Sequence, residues 1–204
     1  MRQVKMNIAG AIITGARLIK NMQPDRRVPA RLLLMPFRGL MEKSASSFIR
    51  DYIKEEDNVL DLGSGPGFFT VKIAKKVGPQ GRVYAVDADE NSIDILLRRI
   101  KELSLSNVTP IIASADDLSF ISDEAIDVVF SNKTLCCIRD HLRSINEIIR
   151  VMKKDGIAYM SVSRPALDPL SVDSGEWSLL LSKFQVIRKG SSLTSRWAIV
   201  KKLN

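Results

Sequence analysis

The chain has 204 residues, of which 45% are hydrophobic and 26% charged, and this composition predicts one globular domain with a substantial core. No apolar run reaches eighteen residues, so we expect no membrane-spanning helix. The two cysteines, Cys136 and Cys137, are adjacent, which argues against a disulfide framework and favours a reducing cytoplasm. With a single histidine, His141, and no C-x-x-C spacing, no metal site is predicted.

The net charge of +8 comes from the N-terminal part of the chain. Residues 1–50 contain ten lysines and arginines against Asp25 and Glu42, whereas residues 51–204 contain 21 basic and 21 acidic residues. Apolar residues near the start recur along one face of a helix, and they are Val4, Ile8, Ile12 and Ile19. We therefore predict a basic helical extension over residues 1–41, followed by the main domain at residues 42–204.

Four roles are open for this extension. It could cover a ligand pocket as a lid, lie on an anionic membrane through residues 1–35, bind RNA phosphates as a basic arm, or pack on the domain as a solvated helix. The stretch Met6–Ala16 resembles a signal peptide in outline, but it is only weakly hydrophobic, so we do not expect secretion.

A glycine-rich turn follows the first predicted strand. The sequence VLDLGSGPGFFT places Asp61 inside the strand and glycines at positions 63, 65 and 67 before a helix-forming stretch. Such a turn lets the backbone bend sharply and approach a nucleotide where a Cβ atom would collide. The third glycine comes one residue earlier than in the dinucleotide-binding pattern G-x-G-x-x-G, which argues against a nicotinamide cofactor.

From Asn58 onward, apolar strands alternate with amphipathic helices, an order typical of a parallel sheet covered on both faces. The predicted strands are Asn58–Leu62, Arg82–Val86, Val108–Ala113, Ala125–Ser131, Ile157–Ser163, Phe184–Arg188 and Ser195–Lys201. Four helices are predicted. The first is Phe68–Val77, the second has an apolar face from Ile93 to Leu103, the third has one from Ile145 to Met152, and the fourth lies at about Asp173–Leu181. The turn Lys153-Lys154-Asp155-Gly156 ends the third helix.

The pattern Asp-x-Gly-x-Gly-x-Gly, from Asp61 to Gly67, resembles motif I of the class I S-adenosylmethionine (AdoMet)-dependent methyltransferases. The resemblance covers residues 42–204 and is strongest to the small-molecule group that includes the ubiquinone/menaquinone-biosynthesis and arsenite methyltransferases. Further matching stretches are GRVYAVDADENSIDILLRRIKE, AIDVVFSNKTLCCIRD and GEWSLLLSKFQVIRKG. The resemblance implies a Rossmann-like, doubly wound α/β fold, with a mostly parallel seven-stranded sheet whose last strand is antiparallel.

The same resemblance implies roles for the residues of the cofactor site. The loop beside the methionine portion of AdoMet would consist of Gly63, Ser64, Gly65 and Gly67. Asp61 would lie under this loop and help to orient the ammonium group. Asp87 would accept hydrogen bonds from the ribose hydroxyls, since a carboxylate suits a vicinal diol. Ala88 would pack on the adenine, and the segment RLLLMPFR, Arg31 to Arg38, could cap the pocket.

Two features concern the adenine and the acceptor. Ser114 stands where the family usually has an Asp that contacts the adenine amino group, so Ser114, Asp116 or the Ala115 backbone amide could read the ring. At the end of the fourth strand, Ser131, Asn132 and Lys133 would face the acceptor, with Asn132 counted among the cofactor-binding residues.

Cys136-Cys137 and His141 each have two interpretations. The thiols could bind arsenic or line an acceptor pocket, or they could pack as small hydrophobic residues. His141 could act as a general base or have a local role in the first turn of a helix. Because AdoMet carries its own leaving group, the reaction depends chiefly on in-line positioning, and no catalytic base is assigned.

We thus predict an AdoMet-dependent methyltransferase that acts on a small, apolar acceptor, in the cytoplasm and peripheral to the membrane. One alternative is an RNA methyltransferase. The end of the fourth strand argues against it, because it reads Ser-Asn-Lys-Thr and not the Asn/Asp-Pro-Pro-Tyr/Phe sequence of enzymes that methylate base amines. Another is a non-catalytic AdoMet-binding protein. The sequence indicates neither the acceptor atom nor the oligomeric state.

Overall fold

The computed structural model describes residues 33–35, 38–164 and 171–203, and the backbone alone of Met41. The predicted helix within residues 1–32 lies outside the described residues. The domain boundary between residues 41 and 42 therefore stays a prediction.

The described chain forms one seven-stranded sheet in the order β3-β2-β1-β4-β5-β7-β6. Strands β1 to β5 run parallel, and β7 is antiparallel to both of its neighbours, which confirms the predicted fold class. The strands are β1 (Asn58–Leu62), β2 (Arg82–Asp87), β3 (Val108–Ile112), β4 (Ile126–Asn132), β5 (Met152–Ser163), β6 (Phe184–Ser191) and β7 (Ser195–Lys202).

Helices cover both faces of the sheet. They are α1 (Arg38–Met41), α2 (Lys43–Tyr52), α3 (Thr70–Val77), α4 (Glu90–Glu102), α5 (His141–Val151) and α6 (Ser174–Leu181), with a short 3-10 turn at Leu135–Cys137. Apolar side chains of α2, α3 and α4 pack on one face, where Phe48 contacts the rings of Phe130 and Tyr159. Helices α5 and α6 pack on the other face. Within the described ranges, no helix is long and apolar enough to cross a bilayer.

The main differences from the predicted elements lie at their ends. Helix α3 begins at Thr70 and not at Phe68, and the rings of Phe68 and Phe69 pack edge to face at the end of the glycine loop. Strand β5 begins at Met152, directly after α5, and not at Ile157. The polar residues 153–156 lie in its irregular first part, where the register with β4 shifts between Ile126 and Val128.

The sheet places the site through its connectivity. Strand β1 lies between β2 and β4, and the strand order runs outward in opposite directions on its two sides. The carboxyl ends of β1, β2 and β4 therefore meet at one edge with a crevice between them, which is the position where parallel α/β sheets bind ligands.

Candidate functional site

A cavity of about 870 Å³ opens at this edge of the sheet. Its walls come from the glycine loop, the end of β2, the segment after β3, the end of β4 and residues Leu33, Met35, Arg38 and Glu42 of the N-terminal segment. All the predicted cofactor-binding residues line it except Asp61 and Gly67, and those that line it are Gly63, Ser64, Gly65, Asp87, Ala88, Ser114, Ala115 and Asn132.

The glycine loop is held against β2. The backbone amides of Gly63 and Ser64 both donate to the carbonyl of Val86, at 2.8 and 3.0 Å. Gly63 has a φ of 77°, and a Cβ atom there would lie 2.1 Å from Oγ1 of Thr134. That hydroxyl is itself fixed, because it donates to the Leu62 carbonyl at 2.7 Å. Position 63 therefore requires glycine both for its backbone conformation and for the close approach of Thr134.

The Asp87 carboxylate ties the end of β2 to the loop. Its Oδ2 accepts from the Gly65 amide at 2.7 Å, and its Oδ1 accepts from the Asp89 amide at 2.9 Å. Asp89 in turn caps α4, since its Oδ2 accepts from the amide and the hydroxyl of Ser92. A carboxylate has about four acceptor positions, so the same group can hold the loop and face the cavity.

Asp61 lies under the loop but does not line the cavity. It is buried, and its Oδ2 accepts a hydrogen bond from Oγ1 of Thr70 at 2.6 Å. Burial raises the pKa of this carboxyl to about 7, against the opposing effects of the Thr70 hydrogen bond and the Arg38 charge. The structure therefore gives Asp61 a second role, as the group that fixes the start of α3.

On the adenine side of the proposed site, Ala88 lies with Ser114 and Ala115 in the cavity wall. Asp116 is half-buried and is not among the lining residues. This placement favours Ser114 and the Ala115 backbone over Asp116 as the groups that face the ligand.

The end of β4 carries a polar cluster. Asn132 accepts from Oγ of Ser161 at 2.8 Å, and the Lys133 amide donates to the carbonyl of Ser161 at 3.0 Å. Lys133 has a φ of 59°, a left-handed conformation that costs about 1 kcal/mol for a residue with a Cβ. This left-handed turn lies in the cavity wall, and the sequence did not indicate its backbone conformation.

The adjacent thiols and His141 occupy different environments. Cys137 lines the cavity, whereas Cys136 is buried, and both thiols approach the Lys133 carbonyl, at 3.7 and 3.1 Å. His141 is buried and is not a lining residue, and its Nδ1 lies 2.8 Å from Oε1 of Glu176. The local role of His141 therefore fits its position better than a role at the acceptor.

The N-terminal side also contributes to the cavity wall. The segment RLLLMPFR, predicted to cap the pocket, supplies the lining residues Leu33, Met35 and Arg38. Glu42 also lines the cavity, and nothing in the local sequence indicated it. It accepts from Asn132 Nδ2, from Lys133 Nζ at 3.2 Å and from Arg38 Nε at 3.3 Å.

The cavity suits a ligand with a vicinal diol at one end and charged groups at the other. Asp87 and Asp89 make one side acidic, while Arg38 and Lys133 lie with Glu42 on the other. A Cβ atom on Gly65 would fill part of this space, 3.0 Å from Cδ1 of Leu33. The volume lies near the upper end of the range for small-molecule sites, about 300–1,000 Å³. These features fit the ribose and the amino-acid tail of AdoMet.

Comparisons with known proteins agree with this geometry. A family model described as a methyltransferase domain matches residues 53–189. The ubiquinone/menaquinone biosynthesis C-methyltransferase of Pasteurella multocida is 31% identical over 121 residues, which make up 58% of this chain and 45% of that protein. The demethylmenaquinone methyltransferase of Listeria monocytogenes is 31% identical over 114 residues, 55% of this chain and 48% of that protein. The chain thus spans about half the length of these curated relatives.

Solved structures share the fold. A SAM-dependent methyltransferase from Aquifex aeolicus superposes with a TM-score of 0.73 at 24% identity, over 85% of this chain and 97% of that one. An arsenic(III) S-adenosylmethionine methyltransferase from Chlamydomonas reinhardtii gives a TM-score of 0.62 at 19% identity, over 78% of this chain and 73% of that one.

Two effects restrict position 63, the close approach of Thr134 and the left-handed backbone, and they can be measured separately. Gly63→Ala should lower the free energy of unfolding by roughly 1–2 kcal/mol more than Gly78→Ala. Gly78 has a similar φ of 72°, but a Cβ atom there would meet nothing within 4 Å, whereas at Gly63 it displaces Thr134. Urea titration of both variants measures the difference, and equal losses would show that Thr134 does not restrict this position.

The buried Asp61 should make stability depend on pH. Its pKa is about 7 when folded and near the ordinary 3.8 when unfolded, so the folded state binds more protons between these values. The unfolding free energy of the wild type, relative to Asp61→Asn, should therefore fall as pH rises from about 4 to 7, by on the order of 3 kcal/mol. The asparagine keeps an acceptor for Thr70. A difference between the two proteins that stays constant across this pH range would contradict the burial of an ionisable group here.

Proposed function

This chain belongs to the class I AdoMet-dependent methyltransferases, and we propose that it transfers a methyl group directly to a small, apolar acceptor. The observation that carries the proposal is the single cavity that extends from the glycine loop and Asp87 to Cys137, Ile138 and Thr194. Its volume of about 870 Å³ leaves room for a second small molecule beside the cofactor.

Several groups of this chain would hold AdoMet. Asp87 would accept from the ribose hydroxyls, while Ala88 and Ala115 would lie beside the adenine and Ser114 would offer it a hydroxyl. The backbone of Gly63, Ser64 and Gly65 would approach the methionine portion. When bound, AdoMet supplies an activated methyl group on a sulfonium that is its own leaving group.

The contribution of the protein is then to position the acceptor and to exclude water. The far wall of the cavity combines the apolar Met35 and Ile138 with the side chains of Cys137, Ser163 and Thr194. Such a wall holds an apolar molecule and offers a few polar contacts that fix its orientation. We assign no general base, because within the described residues His141 does not line the cavity.

The mouth of the cavity supports an apolar acceptor. Three large apolar side chains near it are exposed, Met35 by 46%, Leu40 by 65% and Leu193 by 94%. Leu193 sits at the tip of a tight turn, where Oγ of Ser192 accepts from the amides of Thr194 and Ser195 at 3.2 and 3.1 Å. The turn holds the leucine outward, next to Thr194 in the cavity wall.

Charge around this mouth favours an anionic membrane as the source of the acceptor. Lys43 and Arg164 are exposed beside Leu40 and the 192–195 turn, and the segment 1–50 carries the excess positive charge of the chain. Apolar side chains that insert between lipids, with basic residues around them, are typical of peripheral membrane contact. Two relatives are quinone-biosynthesis methyltransferases, so a quinone precursor is the acceptor class that we propose.

The acceptor class can be tested with labelled cofactor. The wild type is incubated with methyl-tritiated AdoMet and either a membrane lipid extract or total RNA, with Asp87→Ala as the inactive control. We expect label in the lipid extract, in the organic phase, because the far wall of the cavity combines the apolar Met35 and Ile138 with uncharged side chains. Label in the RNA alone would replace this proposal with an RNA methyltransferase, and no label in either would favour a non-catalytic AdoMet-binding protein.

The membrane contact can be tested at Leu193. Leu193→Ser should weaken partition onto phosphatidylglycerol vesicles by roughly fivefold to thirtyfold, since a buried leucine contributes about 1–2 kcal/mol. Leu179→Ser is a matched control, because Leu179 is also exposed, by 55%, but lies on α6 and not on the 192–195 turn. Equal partition of both variants in a sedimentation assay would show that the 192–195 turn does not enter the lipid.

A further inference from the structure

We propose that Glu42 is a positioning residue, which holds Leu33, Met35 and Arg38 over the cofactor cavity and so sets how slowly the cofactor leaves. This inference rests on the proposed function, because it concerns the same cavity. It assigns a role to a residue that lies between α1 and α2, far in sequence from the glycine loop and from the end of β4.

The Glu42 side chain does not cap the helix that follows it. Glu42 occupies the N-cap position of α2, where the shorter side chains of Ser, Thr, Asp and Asn are favoured, and it makes no capping hydrogen bond. Its carboxylate turns toward the end of β4 and accepts from Asn132 Nδ2 and Lys133 Nζ. The side chain thus serves a contact 90 residues along the chain and not the start of α2.

The Glu42 carboxylate also balances the charges of two neighbouring cations. The Glu42 side chain is only 13% exposed and lies between two cations, Lys133 at 3.2 Å and Arg38 at 3.3 Å. Removal of this one negative charge would leave the ammonium and the guanidinium close together in a half-buried site. Such an arrangement is unfavourable because nearby like charges repel one another more strongly where water is largely excluded.

Arg38 connects Glu42 to the glycine loop. Its Nη1 donates to the Leu33 carbonyl at 2.9 Å, and its guanidinium lies 5.1 and 5.5 Å from the ring centres of Phe69 and Phe68. A Cβ atom built on Gly65 would lie 3.0 Å from Cδ1 of Leu33, so Leu33 lies close to the loop. A continuous set of contacts thus runs from Asn132 and Lys133, through Glu42 and Arg38, to the roof of the cavity.

These contacts must separate if the segment is to lift away from the cavity. Leu33, Met35, Arg38 and Glu42 all line the space in which the cofactor would lie, so this wall restrains a bound cofactor from one side. The Glu42 contacts should therefore affect the dissociation rate of the cofactor more than its association rate, as is usual for buried charge pairs at interfaces.

The test uses S-adenosylhomocysteine as the probe and the full chain immobilised for surface plasmon resonance. Glu42→Gln keeps the size of the side chain and removes its charge, and it should raise the dissociation rate about tenfold with little change in the association rate. Glu42→Asp, which keeps the charge on a shorter side chain, should fall between Gln and the wild type. Glu55→Gln, on an exposed turn, is the matched control and should leave both rates unchanged.

A double-mutant cycle tests whether the faster dissociation expected in Glu42→Gln depends on the contact between Glu42 and Lys133. If it does, Lys133→Met alone should also raise the dissociation rate, and adding it to Glu42→Gln should raise the rate less than the product of the two single effects. Fully multiplicative effects would show that the two residues act separately and would overturn the proposed lock.

Hydrogen exchange of the ligand-free protein gives a readout that does not depend on the cofactor. Backbone amides within residues 38–46 should exchange about tenfold faster in Glu42→Gln than in the wild type, with the amides of β1 unchanged. An unchanged dissociation rate together with unchanged exchange would overturn the inference, while failure of the wild type to bind S-adenosylhomocysteine would instead remove the proposed function. If Glu42→Gln does not fold, Lys133→Met is measured in its place, and it should also raise the dissociation rate and the exchange rate of residues 38–46.

Discussion

The hydrogen bond from the Gly65 amide to the Asp87 carboxylate, at 2.7 Å, is the contact on which the site depends. It joins the ends of two neighbouring parallel strands, because the loop that leaves β1 is fixed by the residue that ends β2. The same carboxylate also accepts from the Asp89 amide, and Asp89 caps α4. One buried edge thus sets the path of the loop, the start of a helix and an acidic cavity wall. Every later feature of the site is positioned relative to this junction.

The second half of the site is held by charge and not by backbone pairing. Glu42, Lys133 and Arg38 connect the N-terminal segment to the end of β4, and Thr134 packs against Gly63 while it donates to the Leu62 carbonyl. The cavity is therefore closed from two directions, by a rigid loop below and by a segment fastened through polar side chains above. Such a division suits a site that must bind a cofactor firmly and still release its product.

The parts that could be predicted from the sequence are those encoded by contiguous residues. The alternation of strands and helices gave the sheet, because parallel strands need crossover helices and each element has its own hydrophobic period. The glycine loop and Asp87 could be read in the same way, since the loop is a local backbone feature and Asp87 follows directly from the end of a strand. The ends of α3 and β5 were less predictable, because they involve residues of other elements: Thr70 donates to Asp61 at the start of α3, and the register between β4 and β5 shifts beside Ile126.

The parts that could not be predicted depend on residues far apart in the chain. Glu42 meets Asn132 and Lys133 across about 90 residues, and no spacing rule connects them. Asp61 was predicted to serve the ammonium group of the cofactor, and that role stays a prediction. Its hydrogen bond with Thr70 adds a structural role, which depends on how α3 returns to the end of β1 and not on the motif alone. The left-handed backbone of Lys133 likewise follows from its tertiary contacts, because the residue type disfavours it.

Binding of AdoMet at Asp87 and the glycine loop is tested most directly by calorimetric titration of the wild type and of Asp87→Ala with AdoMet, S-adenosylhomocysteine and NADH. We expect micromolar binding of the first two ligands, a loss of at least tenfold in affinity in the variant, and no binding of NADH. The loss follows because Asp87 is proposed to accept from the ribose diol and also holds Gly65 in the loop. Binding of NADH alone, or AdoMet affinity that Asp87→Ala leaves unchanged, would contradict it.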